Sequence, residues 1–204
     1  MLRESVLTPS EARLLELLTW KVRLVSEMQL RRLSGFQTHR LLAMNYLATR
    51  TACIRLWQVD SALAAWTPGM RLPNFSTIAW RLEQRRQQTA AVTQRVFWAA
   101  PRAVRLMGGS GGRVRQPTQV EHDLAVTAVL LRRSEMDPST WDCWLGEDIL
   151  RQRLARKQKI PDAVLVDAFE RITLAVEYGG AYSVKRLQAF HNHCKRTKVP
   201  YEIW

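Results

Sequence analysis

Residues 160–180, IPDAVLVDAFERITLAVEYGG, contain two short apolar runs that predict two neighbouring β-strands. The first run follows Pro161-Asp162, and the second run ends at Glu177. Both runs are rich in β-branched residues, and both are too short for a typical helix. The pattern therefore places one acidic residue at the beginning of a strand and another at the end of the next strand.

The segments on either side of these two strands predict further helices and strands. Residues 118–133 have the apolar spacing of a helix, and residues 141–145 alternate like a strand. Residues 182–196 predict another helix, and residues 200–204 a last strand. The predicted order from residue 118 onward is helix, strand, strand, strand, helix, strand.

The N-terminal part of the chain predicts three short helices. The first begins with the capping pattern Thr8-Pro9-Ser10-Glu11. The second covers 26–33 and stops at Ser34-Gly35, and the third runs from Gln37 to Leu47. Two helices separated by a tight glycine-containing turn are typical of a helix-turn-helix motif, with the third helix as the recognition helix.

Two predicted strands follow these helices and indicate a wing. They cover 53–59 and 95–98, and about 35 residues separate them, including a predicted helix over 80–91. This insertion is longer than an ordinary wing. Its residues Trp66 and Trp80 fit either packing in a core or direct stacking on bases, and core packing is favoured.

The charge is unevenly distributed along the chain. Residues 1–117 contain 18 Lys and Arg against 6 Asp and Glu, whereas residues 118–204 contain 13 against 12. Of the 18 cations, 17 are arginine, which binds phosphate with paired hydrogen bonds. This excess indicates that the N-terminal half binds a polyanion, although a solvated basic face would have the same composition.

We expect the polyanion to be double-stranded DNA, because no motif typical of single-strand RNA recognition is present. The residues predicted to contact DNA lie on the third helix, the strand after it and the inserted helix: Gln37, Thr38, His39, Arg40, Arg50, Arg55, Arg81, Arg85 and Arg86.

The glycine-rich stretch GGSGG at 108–112 predicts a flexible linker over 108–117. The predicted fold is therefore α+β, with a winged helix-turn-helix domain at 1–107 and a second domain at 118–204. The three cysteines have no metal-ligand spacing, and His191 and His193 point to different sides of a helix, which disfavours a metal site there. No apolar run is long enough to span a membrane, and the N-terminus is charged, so we expect a cytoplasmic protein.

The order of elements and the pair Asp162 and Glu177 resemble the PD-(D/E)xK restriction-endonuclease-like fold, with its αβββαβ core. The resemblance implies that these two carboxylates hold Mg²⁺ or Mn²⁺, and that Glu121 adds a third carboxylate. One residue departs from the family pattern, because Gly179 stands where the family has its lysine. Lys185, in the following helix, is then the predicted replacement.

The chain as a whole resembles the replication-relaxation family of mobile-element proteins. The motifs that carry this resemblance are Glu121-His122-Asp123-Leu124, Trp144-Leu145-Gly146-Glu147, Pro161-Asp162-Ala163-Val164-Leu165 and Val176-Glu177-Tyr178-Gly179-Gly180, with Tyr182, Arg186-Leu187 and Phe190. The resemblance implies action at a transfer or replication origin of a plasmid or integrative element, as a metal-dependent DNA nickase or with other relaxosome or replication proteins. The alternative is a non-catalytic winged-helix regulator or accessory factor, whose second domain is a degenerate nuclease that supports homodimerisation or partner binding.

Overall fold

The computed structural model describes residues 7–33, 37–55, 59–111, 117–153 and 159–204, and its fold is α+β with two separate sheets. The helices are α1 (Pro9–Glu16), α2 (Glu27–Arg32), α3 (His39–Ala43), α4 (Phe75–Gln88), α5 (Pro101–Met107), α6 (Pro117–Met136), α7 (Thr140–Cys143), α8 (Glu147–Arg153) and α9 (Val184–Thr197). A π-helical turn, Leu17–Lys21, extends α1. The strands are β1 (Val25–Ser26), β2 (Leu47–Arg55), β3 (Ala64–Trp66), β4 (Ala91–Ala99), β5 (Trp144–Gly146), β6 (Ala163–Val166), β7 (Ile172–Glu177) and β8 (Tyr201–Ile203).

The helix starts at the N-terminus follow the local sequence closely. A reciprocal capping box between Thr8 and Glu11 begins α1, as predicted. Ser26 caps α2 in the same way through Gln29. These side chains accept hydrogen bonds from backbone N–H groups at the helix start that have no acceptor within the helix.

The predicted third helix is too long. It ends at Ala43, because Asn45 adopts a left-handed conformation with φ of 55° and turns the chain into β2. Threonines and Ile54 then favour an extended conformation. The predicted turn at Ser34-Gly35 lies outside the described residues.

The first sheet has three strands in the order β1, β4, β2. Strands β2 and β4 pair antiparallel over nine residues, from Leu47 opposite Ala99 to Arg55 opposite Ala91. The predicted strand at 95–98 is part of the longer β4. The first predicted strand, 53–59, overlaps β2 only at 53–55, because β2 begins at Leu47, Val59 is not in a strand, and residues 56–58 lie outside the described part of the chain. Helix α6 packs on one face through Val120 and Leu124, which contact Ile54 and Val96.

The second sheet has five strands in the order β3, β8, β7, β6, β5. Strands β7 and β8 are parallel, and the other neighbours are antiparallel. Strands β5 to β8 follow the predicted order. The prediction of a strand over 141–145 is wrong at its beginning, since residues 140–143 form α7 after the Asp137-Pro138-Ser139 turn.

The insertion between β2 and β4 belongs to the second sheet. Strand β3 pairs with β8, and Trp66 at its end stacks on Tyr201 with ring centroids 5.5 Å apart. Helix α4 packs beside α9 through Phe75, Ile78 and Leu82. The sequence pattern predicts this insertion in the domain at 1–107. Its apolar side chains are instead buried in the core of the C-terminal half.

The described part of the glycine-rich stretch is docked on the protein. The Ser110 backbone N–H donates a hydrogen bond of 2.7 Å to the Thr19 carbonyl oxygen. A Cβ atom on Gly109 would lie 2.5 Å from the same oxygen, so glycine permits this close approach. The part of the predicted linker at 109–110 is thus held against Thr19, while residues 112–116 lie outside the described residues.

Candidate functional site

The pairing of β6 with β7 brings Asp162 and Glu177 together at one edge of the second sheet. Ala163 stands opposite Val176, so the residues that flank this pair are adjacent. The Asp162 backbone N–H donates to Glu177 Oε2 at 3.3 Å, and the Tyr178 backbone N–H donates to Asp162 Oδ2 at 2.7 Å. The two carboxyl groups that the sequence singled out thus form one site.

Glu177 is almost completely buried, with 2% of its surface exposed. The Tyr182 hydroxyl donates a hydrogen bond of 2.7 Å to its Oε1 atom. Burial, and then the nearby charge of Asp162, raise the pKa of Glu177 to about 8. Glu177 is therefore mostly protonated and uncharged at neutral pH.

His122, on α6, faces Asp162. Its Nε2 atom lies 3.3 Å from Asp162 Oδ2, and its Nδ1 atom lies 3.5 Å from Asp123 Oδ1. The Nδ1 contact is outside hydrogen-bonding geometry, so it acts through charge. Burial lowers the pKa of His122, but the two carboxylates outweigh burial and raise it to about 10.

The site therefore contains an imidazolium paired with Asp162 at neutral pH. Sequence reasoning missed His122, although it quoted the motif in which His122 stands. The helical spacing alone could not decide which of three consecutive polar residues turns toward the strands.

Glu121 does not join Asp162 and Glu177 among the contacts of the described residues. Its Oε1 atom accepts a hydrogen bond of 2.9 Å from the Arg55 backbone N–H and lies 3.7 Å from the Arg55 guanidinium. The predicted third carboxylate thus turns toward the first sheet, and His122 takes the place beside Asp162. The same contact occupies Arg55, which the sequence assigned to DNA.

The lysine position of the nuclease pattern is closed. A Cβ atom on Gly179 would lie 2.5 Å from Leu82 Cδ1, because α4 packs over this edge of the sheet. Lys185, the predicted replacement, is exposed and has no charge partner or hydrogen bond among the described residues. The lysine whose charge acts on both Glu177 and Asp162 is Lys159, which stands 4.8 Å over the Phe190 ring.

A second polar cluster lies next to the carboxylates and centres on Arg23. Its guanidinium binds Asp148 at 2.8 Å through Nε, and lies 2.9 Å from Glu147 and 3.4 Å from Asp123. Burial lowers the pKa of Arg23, but the carboxylates raise it overall. These side chains and Ser110 line a cleft of about 370 Å³ where the N-terminal and C-terminal halves meet.

In this arrangement the oxygens of the carboxylate site are engaged by protein donors. Asp162 Oδ2 and both Glu177 oxygens accept hydrogen bonds from backbone N–H or hydroxyl groups. The His122 imidazolium faces the same Oδ2 atom of Asp162. Among the described residues, no group of three or more His, Cys, Asp or Glu side chains is arranged to hold a metal ion.

The residues predicted to contact DNA from α3 are only partly available. Gln37 and His39 are exposed at the beginning of α3, and Thr38 is half-buried. Arg40 is held by Glu11 of the α1 capping box at 2.6 Å. This ion pair joins α3 to α1, so Arg40 has a structural contact that the sequence did not predict.

The other predicted DNA contacts lie on different surfaces. Arg50 is exposed on β2, whereas Arg81, Arg85 and Arg86 stand on α4 at the second sheet. Burial lowers the pKa of Arg85, which is half-buried and whose Nη2 lies 3.5 Å from the Ser61 carbonyl oxygen. Arg86 pairs with Glu83 at 3.2 Å.

Sequence reasoning missed Arg95 on β4. Arg95 and Thr51 occupy paired positions of β4 and β2 and line a cavity of about 320 Å³ between the strands and α2. Arg31 of α2 lines the same cavity and pairs with Glu27 at 3.2 Å. The available signal was the position of Arg95 in the second predicted wing strand.

Comparisons of the chain with protein-family models, with curated proteins and with solved structures find no match. No helix in the described residues is both long and apolar enough to cross a lipid bilayer.

Proposed function

We propose that this protein binds double-stranded DNA through the surface formed by α2, the beginning of α3 and the strands β2 and β4, and that it does so without cleaving the DNA. The observation that carries the proposal is the exposure of two arginines on the paired strands: Arg95 faces α2, and Arg50, which lies opposite Val96, projects from the other face of the same strand pair. Neither guanidinium has a carboxylate partner among the described residues.

The arrangement of these elements supports a winged helix-turn-helix. Three helices precede two antiparallel strands, and the exposed beginning of α3 carries Gln37 and His39. In helix-turn-helix proteins the N-terminal residues of the recognition helix contact base edges, and arginines of the wing contact phosphates. Arg50 and Arg95 fit the second role, because a cation without a carboxylate partner is available to a phosphate.

The carboxylate site supports a non-catalytic second half. The strand order and the position of Asp162 and Glu177 agree with a nuclease-like ancestry. Hydrolysis in that family needs a metal held by the carboxylates and a lysine near the attacked phosphate. Here His122 lies 3.3 Å from Asp162, both Glu177 oxygens accept protein hydrogen bonds, and Leu82 fills the space at Gly179.

The proposed biological role follows from the resemblance of the chain to replication-relaxation proteins. We place the protein at a transfer or replication origin of a mobile element, as an accessory or regulatory factor. The C-terminal half then serves partner binding or dimerisation.

Titration of a labelled duplex by fluorescence anisotropy tests the DNA surface. The double variant Arg50→Ala/Arg95→Ala should bind more weakly, and the slope of log affinity against log salt should fall by about 2, since each phosphate contact contributes about 1. The control Arg171→Ala removes an exposed arginine that Asp167 already neutralises, and it should change neither quantity. Absence of duplex binding by the wild type would overturn the proposal, and equal effects of the two variants would move the surface elsewhere.

Incubation with supercoiled DNA and Mg²⁺ or Mn²⁺ tests the absence of cleavage. The wild type should leave the supercoiled DNA intact, and its thermal midpoint should not respond to either metal. Nicking that Asp162→Asn abolishes would show that a cation displaces His122, and the nickase would then replace the accessory role.

A further inference from the structure

Helix α4 presents two different sides. Phe75, Ile78 and Leu82 are buried against the second sheet and α9. The opposite side is solvent-facing and carries Trp80, which is 62% exposed although tryptophan is usually mostly buried. Core packing, which the sequence favoured for the inserted tryptophans, applies to Trp66 and not to Trp80.

The α4 side chains around Trp80 carry a net positive charge, because the only acidic residue of this helix is paired with an arginine. Arg81 is exposed and has no carboxylate partner among the described residues. Other α4 side chains on this side are uncharged and polar: Ser76, Thr77, Gln87 and Gln88 are exposed, and Gln84 is half-buried. The one acidic residue of the helix, Glu83, is paired with Arg86 at 3.2 Å.

A second exposed aromatic residue, Phe169, has different charged neighbours from Trp80. It is 78% exposed and stands 5.0 Å from the Arg171 guanidinium, as an aromatic–arginine pair would in a nucleic-acid site. Asp167, however, neutralises Arg171 at 2.7 Å, and Glu170 pairs with Arg153 at 3.3 Å. Each of these cations beside Phe169 thus has a carboxylate partner, whereas Arg81 beside Trp80 has none among the described residues.

We infer that the solvent-facing side of α4 binds single-stranded DNA, with an unpaired base stacked on Trp80 and the adjoining phosphate bound by Arg81. Stacking on an exposed ring requires a base whose own faces are free, which selects an unpaired strand over a duplex. An exposed tryptophan next to an arginine that has no carboxylate partner among the described residues meets both requirements.

This surface is separate from the proposed duplex site on β2 and β4, because α4 packs on the second sheet and on α9, whereas β2 and β4 form the first sheet. The inference deepens the proposed function, since it assigns a second nucleic-acid surface to the same protein. An origin-binding factor with both surfaces would hold a duplex and an adjacent unpaired strand together.

The test uses the full-length chain, a labelled oligothymidine and a labelled duplex in parallel anisotropy titrations. Trp80→Ala should weaken oligothymidine binding about tenfold, a loss within the range for one base stacked on an aromatic ring. Trp80→Phe should retain most of the affinity, and Arg81→Ala should lower both the affinity and its salt dependence. The duplex affinity should not change in any of these variants.

Phe169→Ala is the matched control, since it removes an aromatic ring at least as exposed, and it should leave oligothymidine binding unchanged. Thermal midpoints equal to that of the wild type would confirm that Trp80→Ala is folded. Unchanged oligothymidine affinity in Trp80→Ala, or an equal loss in Phe169→Ala, overturns the inference. Such a result would leave the proposed duplex binding intact, because the duplex affinity is measured in a separate titration.

Discussion

Replacement of His122 by asparagine removes the cation that faces Asp162. The two charged atoms are 3.3 Å apart, and the side chains are 25% and 11% exposed. At an effective dielectric constant of about 20 this separation gives an attraction of about 5 kcal/mol. Because breaking a largely buried pair also leaves a carboxylate without its partner, we expect His122→Asn to lower the free energy of unfolding by about 3–5 kcal/mol at pH 7.

The pH dependence of this loss identifies its cause. The folded-state pKa of His122 is raised from its ordinary value of 6.5 to about 10. The stabilisation is therefore complete below the ordinary pKa and is lost as the pH rises through about 10. The difference between wild type and His122→Asn should shrink steadily from pH 7 to pH 10.

Urea denaturation of both proteins across this range measures the difference. His191→Asn is the control, since burial lowers the pKa of His191 and its contact is the Tyr201 hydroxyl at 2.9 Å. Its loss of stability should stay constant from pH 7 to pH 10. If the loss of unfolding free energy in His122→Asn also stays constant from pH 7 to pH 10, the ion pair is refuted and His122 stabilises the fold only by packing.

Two further predictions concern the same edge of the sheet. The raised pKa of Glu177 means that the wild type loses stability as the pH rises from 4.5 through about 8, so Glu177→Gln should match it at pH 4 and exceed it at pH 9 in urea denaturation. An equal pH profile for both proteins would contradict the burial of a protonated carboxyl group. Gly179→Ala should cost about 1–3 kcal/mol by overpacking against Leu82, and Leu82→Ala about 2–5 kcal/mol by leaving a cavity. The double variant should lose at least about 1 kcal/mol less than the two single losses combined, and strict additivity would place Leu82 away from Gly179.

Local signals in the sequence identified most of the individual elements. The capping residues Thr8 and Ser26 determine where α1 and α2 begin, and β-branched runs determine β6 and β7, because these features act over a few residues. The end of α3 was misjudged, since the left-handed turn at Asn45 is only one of several conformations that asparagine permits.

The relation between distant segments was harder to predict. The glycine-rich stretch suggested independent halves, yet Arg23 reaches carboxylates of α6 and α8, and β3 joins a sheet whose other strands come from the C-terminal half. Such pairings depend on which apolar faces meet in space, and no local pattern encodes that choice.

In the candidate site, too, local sequence patterns predicted some positions, and long-range packing decided the others. The juxtaposition of Asp162 and Glu177 follows from the strand pattern, because both residues flank the paired positions of β6 and β7. The positions of His122, Lys159 and Leu82 depend on how α6 and α4 pack over the edge of the sheet. The residues that decide the chemistry of the site are therefore those that the sequence left unassigned.

The insertion of β3 and α4 between β2 and β4 constrains the order of events during synthesis. Ala64 of β3 pairs with Ile203 of β8, so β3 has no partner in its sheet until β8 has left the ribosome. Until then the side chains of Trp66, Phe75 and Ile78, all buried in the finished protein, have no core to enter. The nascent chain thus carries an exposed apolar segment through most of its translation, which is the kind of segment that chaperones bind.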